Sequence, residues 1–189
     1  MKNSFAAIIL SLAALGAAPP ARAQEEPTKL EAYGGYSYIR FNVTAKVSGI
    51  APSESYNASG GGGQLEYNPN AWLGVVGDLS GYEVTQGNPI AGTFSYLFGP
   101  RVNFRRRRVT PFAQALFGGI AATSDIGHPG PANHFAMTAG GGLDYTVSKL
   151  VAIRLVQAEY YMTKFPDGLS NRQDNFRIAT GIVFRFGKK

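Results

Sequence analysis

Hydrophobic and polar positions alternate along much of this chain, most sharply near its end. Between Asn175 and Phe186, the residues Phe176, Ile178, Ile182, Phe184 and Phe186 share one parity, and Arg177, Ala179, Gly181 and Arg185 share the other. Successive side chains of a strand point to opposite faces, so this strand is aromatic and apolar on one face and small or cationic on the other. With clusters of Gly, Pro, Asn and Ser taken as breaks, the same reading predicts eight strands, at 30–42, 58–68, 71–83, 91–104, 109–122, 134–147, 150–162 and 175–187. Three junctions are short: Asn68-Pro69-Asn70, Arg105 to Arg108, and Val147-Ser148-Lys149. Four are longer, at 43–57, 84–90, 123–133 and 163–174. Short and long junctions alternate strictly. That arrangement predicts an all-β fold, an eight-stranded antiparallel up-and-down barrel with tight turns and both termini at one end and loops at the other.

The two faces differ enough to say which is wet. In the fourth strand Phe94, Tyr96, Phe98, Val102 and Phe104 oppose Ser95, Leu97, Gly99, Arg101 and Asn103. In the sixth, Phe135, Met137, Leu143 and Tyr145 oppose Ala136, Thr138, Gly140, Gly142 and Asp144. A soluble small barrel would turn the aromatic face inward, but eight strands enclose only enough space for modest side chains. A transmembrane barrel with its polar face inward and its apolar face in lipid fits better. The seventh strand breaks the rule, because Arg154 and Glu159 fall on opposite parities. For both to face inward, one extra residue, a β-bulge, must lie between them. In the fifth strand, Gln114 places Phe112 and Leu116 inward and leaves Ala113, Ala115 and Phe117 to the lipid.

The interior then holds Glu31, Glu66, Asp78, Asp144 and Glu159 against Arg101, Arg154, Arg177 and Arg185. Charges shielded from bulk water need partners, so these residues are expected to form a salt-bridge network that plugs the lumen; a charged pore lining is the alternative use. Aromatic residues gather at strand ends: Tyr33, Tyr36, Tyr38 and Phe41 on the first strand, Tyr67 and Trp72 beside the first turn, and Phe104 and Phe112 beside the second. Tyr145 follows near the third turn, and Tyr160, Tyr161 and Phe165 near the last loop. They are expected to form interfacial girdles.

Residues 1–23 have the form of a cleavable signal peptide: Lys2, an apolar run from Phe5 to Ala18, the breakers Pro19 and Pro20, and the small-x-small site Ala21-Arg22-Ala23. The run is too short to span a bilayer as a helix. Residues 24–189 remain as one barrel domain. Removal of Lys2 and Arg22 lowers the formal net charge from +6 to +4. Four of the remaining cations form the run Arg105 to Arg108, which lacks the aromatic stacking platform of a nucleic-acid site and is expected to be solvated at a turn, where it can meet anionic lipid headgroups. The chain has no cysteine, which removes disulfides, thiolate metal sites and cysteine nucleophiles. Its two histidines, His128 and His134, sit six apart in or beside a Gly/Pro loop, a poor start for a metal site. Ser80 and Ser95 have no histidine near them in any plausible register, so no catalytic residue, metal or cofactor is assigned.

The signal peptide, the first strand Tyr33-Gly34-Gly35-Tyr36-Ser37-Tyr38 and the ending Gly181-Ile182-Val183-Phe184-Arg185-Phe186 resemble the OmpA/OmpX-type eight-stranded outer-membrane barrels. They resemble more closely the outer membrane beta-barrel domain or porin-family proteins of Gram-negative bacteria. The resemblance covers the chain after the signal. It implies a bacterial outer-membrane location, lipid and the barrel assembly machinery as partners, and an assembly signal at Gly181, Phe184 and Phe186. This chain differs in continuing through Gly187-Lys188-Lys189 and in carrying Ala179 at the polar position before the glycine. The resemblance also implies a non-enzymatic structural or surface-interaction role, with no nucleic-acid partner and an external ligand that the residues do not specify. Two alternatives stay open on the residues: a soluble periplasmic ligand-binding barrel of lipocalin type, and a small barrel enzyme acting on lipid A.

Overall fold

A computed structural model describes residues 28–44, 53–84, 91–124, 132–164 and 172–187. The predicted signal peptide and the central parts of the four long junctions, including His128 and Phe165, lie outside the described residues. Within them the chain forms eight strands: β1 (Leu30–Thr44), β2 (Ser53–Tyr67), β3 (Leu73–Val84), β4 (Ala91–Asn103), β5 (Val109–Ser124), β6 (Ala132–Thr146), β7 (Val151–Thr163) and β8 (Gln173–Phe186). Each pairs antiparallel with its neighbour in sequence, and β1 pairs with β8 to close the barrel. Closure leaves no sheet edge and satisfies the backbone within the wall, a requirement of any structure that crosses lipid. The strands are 12 to 16 residues long. At about 3.3 Å per residue and a tilt near 45°, that spans the roughly 25 Å apolar band of such barrels with a little to spare.

The parity argument holds around the wall. In β8, Asn175, Arg177, Ala179, Val183 and Arg185 are buried while Phe176, Ile178, Ile182, Phe184 and Phe186 are exposed. In β4, Ser95, Leu97, Gly99, Arg101 and Asn103 face in, and Phe94, Tyr96 and Phe98 face out. In β5, Phe112, Gln114 and Leu116 face in and Ala113 and Phe117 face out. The predicted bulge is present in β7. Its register slips by one between Arg154 and Gln157 against β8, and the pairing with β6 slips at the same place. Leu155 and Val156 consequently both face outward, and Arg154 and Glu159 both face the lumen. Pro100, which lacks an N–H, sits outward in β4 where the pairing with β5 lapses between Phe98 and Arg101.

The structure departs from the sequence reading in three ways. First, the β1–β2 hairpin runs on to pair Thr44 with Ser53, so β2 begins five residues before position 58. Ser53-Glu54-Ser55-Tyr56-Asn57 carries no alternation to read, because backbone pairing past the apolar band needs none. Second, Tyr33, Phe112 and Tyr161 are not girdle residues. All three are buried in the lumen, whereas Tyr36, Tyr38, Tyr67, Trp72, Phe104 and Tyr160 are exposed on the wall. Third, the interior is not polar throughout. Ile39, Ala58, Tyr82, Leu97, Leu116, Ile120, Ala136 and Tyr161 form a buried apolar cluster toward the long-loop end.

The seam between β1 and β8 rests on two glycines. Gly35 pairs with Gly181, and the ring of Tyr33 lies over both, its hydroxyl donating to the Thr180 carbonyl at 3.0 Å. A Cβ at Gly181 would collide with the Gly34 carbonyl oxygen and come within 2.8 Å of the Tyr33 ring.

Ile178 lies outward near the middle of β8. Ile178→Arg is therefore expected to destabilise the protein by about 2–4 kcal/mol in guanidinium unfolding from liposomes. An unchanged midpoint would contradict the assignment of this face to lipid.

Candidate functional site

The lumen is where this chain concentrates its chemistry. Glu31, Glu66, Asp78, Asp144, Glu159, Arg101, Arg154, Arg177 and Arg185 are all buried there. The structure supplies the pairings that the sequence left open. Arg101 donates to Glu66 at 2.6 Å, and Arg154 donates from Nε and Nη2 to the two carboxylate oxygens of Asp144 at 2.8 and 3.1 Å. Arg177 bridges Asp78 at 3.2 Å and Glu159 at 2.5 Å. Arg185 reaches Glu31 at 3.4 Å and donates to the Thr146 hydroxyl at 2.8 Å.

A fifth cation joins them. Arg105, expected to be solvated with its three neighbours, turns inward, pairs with Glu31 at 2.7 Å and donates to the Ala71 carbonyl at 3.2 Å. Five carboxylates therefore meet five guanidinium groups. Charge balance was one available signal: five interior acids against four interior arginines leaves one acid short of a partner. Arg105 continues the inward parity of Arg101 and Asn103 past exposed Phe104, so parity pointed to it, but its place in a four-arginine run at a turn masked the signal.

Three glutamines connect the ion pairs. Gln64 accepts from Arg101 at 2.5 Å and Arg154 at 2.6 Å and donates to Asp78 at 2.7 Å. Gln114 accepts from Arg101 at 2.8 Å and donates to Glu159 at 2.6 Å. Gln157 accepts from Arg154 at 2.6 Å and donates to Glu159 at 2.9 Å. An amide presents an acceptor to cations and a donor to carboxylates, so each glutamine links an arginine to an acid that it does not itself touch. Gln64 also places its carbonyl between two guanidinium groups that would otherwise repel. Asn68 and Asn103 do similar work around Glu31 and Glu66.

Aromatic rings fill the spaces that hydrogen bonds cannot. The Arg101 and Arg154 guanidinium groups lie 4.3 and 4.5 Å from the centroid of Phe112, and Arg154 lies 4.3 Å from that of Tyr33. Arg177 sits 5.6 Å from the Tyr161 ring and donates to the Tyr82 hydroxyl at 3.1 Å. These desolvated cation–π contacts explain why the three rings point inward. Between the side chains remains a void of only about 10 Å³ beside Ser37, Ser80 and Gln157, and essentially none beside Glu66, Arg101 and Arg154. Neither has room for more than about one water. The apolar cluster lies beyond Asp78 and Arg177 toward the loops.

The remaining candidates do not assemble into a reaction centre. Ser80 donates to Asp78 at 2.8 Å and Ser95 to the Ser80 carbonyl at 3.5 Å. Neither touches a histidine; His134 lies at the start of β6. Among the described residues no three His, Cys, Asp or Glu gather as a metal-binding group. Gly181, Phe184 and Phe186 lie on the seam strand, the glycine under Tyr33 and both phenylalanines exposed on the wall.

Comparison with known proteins places this architecture. The outer membrane protein beta-barrel domain matches residues 7–186. No curated protein matches the sequence. Among solved structures, the Neisserial surface protein A is similar over 86% of this chain and 100% of its own, with 15% identity and a TM-score of 0.63. OprG from Pseudomonas aeruginosa is similar over 87% of this chain and 98% of its own, with 11% identity and a TM-score of 0.56. Ail, the attachment invasion locus protein of Yersinia pestis, solved with the heparin analogue sucrose octasulfate, is similar over 85% and 99%, with 18% identity and a TM-score of 0.52. At these identities the likeness is one of fold.

Arg154→Met is expected to cost about 3–5 kcal/mol in denaturant unfolding, because it leaves Asp144 buried without its partner. Adding Asp144→Asn to that variant is expected to recover part of the loss. Additive losses in the double variant would show that the two side chains do not act as a pair.

Proposed function

This chain belongs to the outer membrane protein beta-barrel family and resides in the bacterial outer membrane, and on that premise we propose that it is a non-enzymatic surface protein. In this reading residues 1–23 are removed on export and residues 24–189 form a closed scaffold. Its long junctions, 43–57, 84–90, 123–133 and 163–174, then present variable chemistry to the exterior. The observation that carries the reading is the ion-paired lumen: five acids and five arginines paired with one another, capped by an apolar cluster. Such an interior suits mechanical rigidity, and its acids are engaged in ion pairs. A small barrel enzyme acting on lipid A would need an exposed acid–base pair on the wall, and the serines described above are buried and spoken for by carbonyl and carboxylate partners. Ail, a barrel of similar fold, has been solved in complex with a sulfated heparin analogue, which supports a surface-binding role without naming a ligand for this chain.

Topology follows from parity. An even strand number puts both termini and all three tight turns on one side, the periplasmic side in this reading. Gly181, Phe184 and Phe186 on this last strand are then the signal read by the barrel assembly machinery before the barrel closes. A charged network that fills an eight-stranded lumen leaves no open path for ions.

Reconstituted monomer is expected to show no stable large-conductance openings in planar bilayers. Steady openings would instead support a pore. On intact cells, an epitope tag inserted in 123–133 is expected to be labelled, and one at Arg106 only after permeabilisation. The reverse pattern would overturn the proposed orientation.

A further inference from the structure

Arg105 is consumed inside the barrel, but the three arginines after it are not. Arg106 and Val109 exchange backbone hydrogen bonds at 2.9 and 2.6 Å, which leaves Arg107 and Arg108 as a two-residue reversal at the tip of the β4–β5 turn. All three side chains are exposed. Arg107 has a φ of 32°, in the left-handed region that glycine or asparagine occupies more easily. A strained turn position holding a charged residue is a place to look for function. The Thr146 N–H donates to the Arg108 carbonyl at 2.7 Å, which brings the β6–β7 turn and its exposed Lys149 alongside. Lys29, at the termini, is also exposed at this end. The acids described at this end, Glu31, Glu66 and Asp144, are buried in the lumen and already paired; the exposed acids among the described residues, Glu83 and Asp174, lie at the opposite end.

What covers this cationic rim is indicated by what surrounds it. Phe104 lies two residues before Arg106, Val147 and Leu150 flank Lys149, and Trp72 projects from the adjacent turn, all of them exposed. Cations interleaved with exposed aromatic and aliphatic side chains match the headgroup layer of a bilayer, where apolar rings and phosphates meet within a few ångströms. A polymer in bulk solvent would meet the charges without covering the rings. We propose that the Arg106–Arg108 turn, with Lys149 and Lys29, is a binding surface for the phosphates of anionic glycerophospholipids. Guanidinium groups suit that partner because they engage phosphate oxygens bidentately. The leaflet concerned rests on the orientation proposed above; the lipid chemistry does not.

The test is native mass spectrometry of the folded full-length protein. It is purified with an equimolar mixture of phosphatidylglycerol and phosphatidylcholine, and the retained lipids are counted at two salt concentrations. Retention of phosphatidylglycerol is expected to exceed that of phosphatidylcholine by about tenfold at low salt and to fall as salt rises. The triple variant R106N/R107G/R108N is expected to retain both lipids equally, while R106K/R107K/R108K keeps a preference. Arg107→Gly alone relieves the backbone strain, so it is expected to fold at least as stably as the parent and to lose part of the preference. It serves as the readout should the triple variant fail to show heat-modifiable migration. Equal retention by the parent protein, or an undiminished preference in folded R106N/R107G/R108N or in Arg107→Gly, would overturn the proposal. So would arginine-dependent binding to isolated peptidoglycan without any lipid preference. Labelling of a tag at Arg106 on intact cells would move the site to the other leaflet and refute the orientation alone.

Discussion

Five guanidinium groups and five carboxylates occupy a lumen too narrow for bulk water, and much else in this barrel follows from that constraint. An isolated buried charge costs several kcal/mol, so each ion must find both an opposite charge and enough hydrogen bonds to replace its hydration. The glutamines meet the second requirement. Gln64, Gln114 and Gln157 each turn an amide oxygen toward arginine and an amide nitrogen toward a carboxylate. The inward rings of Phe112 and Tyr33 complete the solvation of Arg101 and Arg154 on faces that cannot donate. A lumen built this way resists rearrangement, because moving one side chain strands several partners.

The same network stitches the wall together. Glu31 on β1 holds Arg185 on β8 across the closing seam and Arg105 from the turn between β4 and β5. Arg177 on β8 reaches Asp78 on β3 and Glu159 on β7. Arg105–Glu31 and Arg177–Asp78 cross the barrel, whereas Arg185–Glu31 and Arg177–Glu159 tie directly paired strands, so the network resists both flattening of the cylinder and opening of its seams. Backbone pairing supplies closure, the seam glycines let Tyr33 lie flat against β8, and the ion pairs set the cross-section. The cluster above them excludes water by packing and meets the ions through the Tyr82 hydroxyl, which accepts from Arg177. With the interior committed to ion pairs and packing, the recognition proposed above falls to the two ends of the barrel.

Alternation together with the breaks between strands determined the strand number, the barrel, the inward face of most strands and the identity of nine of the ten interior ions. It even located the bulge, since Arg154 and Glu159 could not both face inward without an extra residue. These features were legible because a two-residue period in a wall with lipid on one side leaves each side chain only two choices. Tertiary structure decided the rest. Which arginine meets which acid depends on distances across the lumen, as with Arg177 and Asp78, and the sequence separation of those residues says nothing about them. Arg105 ends in an ion pair because Glu31 lies 2.7 Å from it, whereas the three arginines that follow it are exposed. Tyr33 and Tyr161 left the expected girdle, and Phe112 took the inward place its strand parity gave it rather than a girdle place, because buried guanidinium groups gain from an aromatic face. The β1–β2 hairpin extends to Thr44 and Ser53 because backbone hydrogen bonds continue where the side-chain pattern has stopped. The period of the chain fixes which way each residue points, and only the closed barrel decides what it meets there.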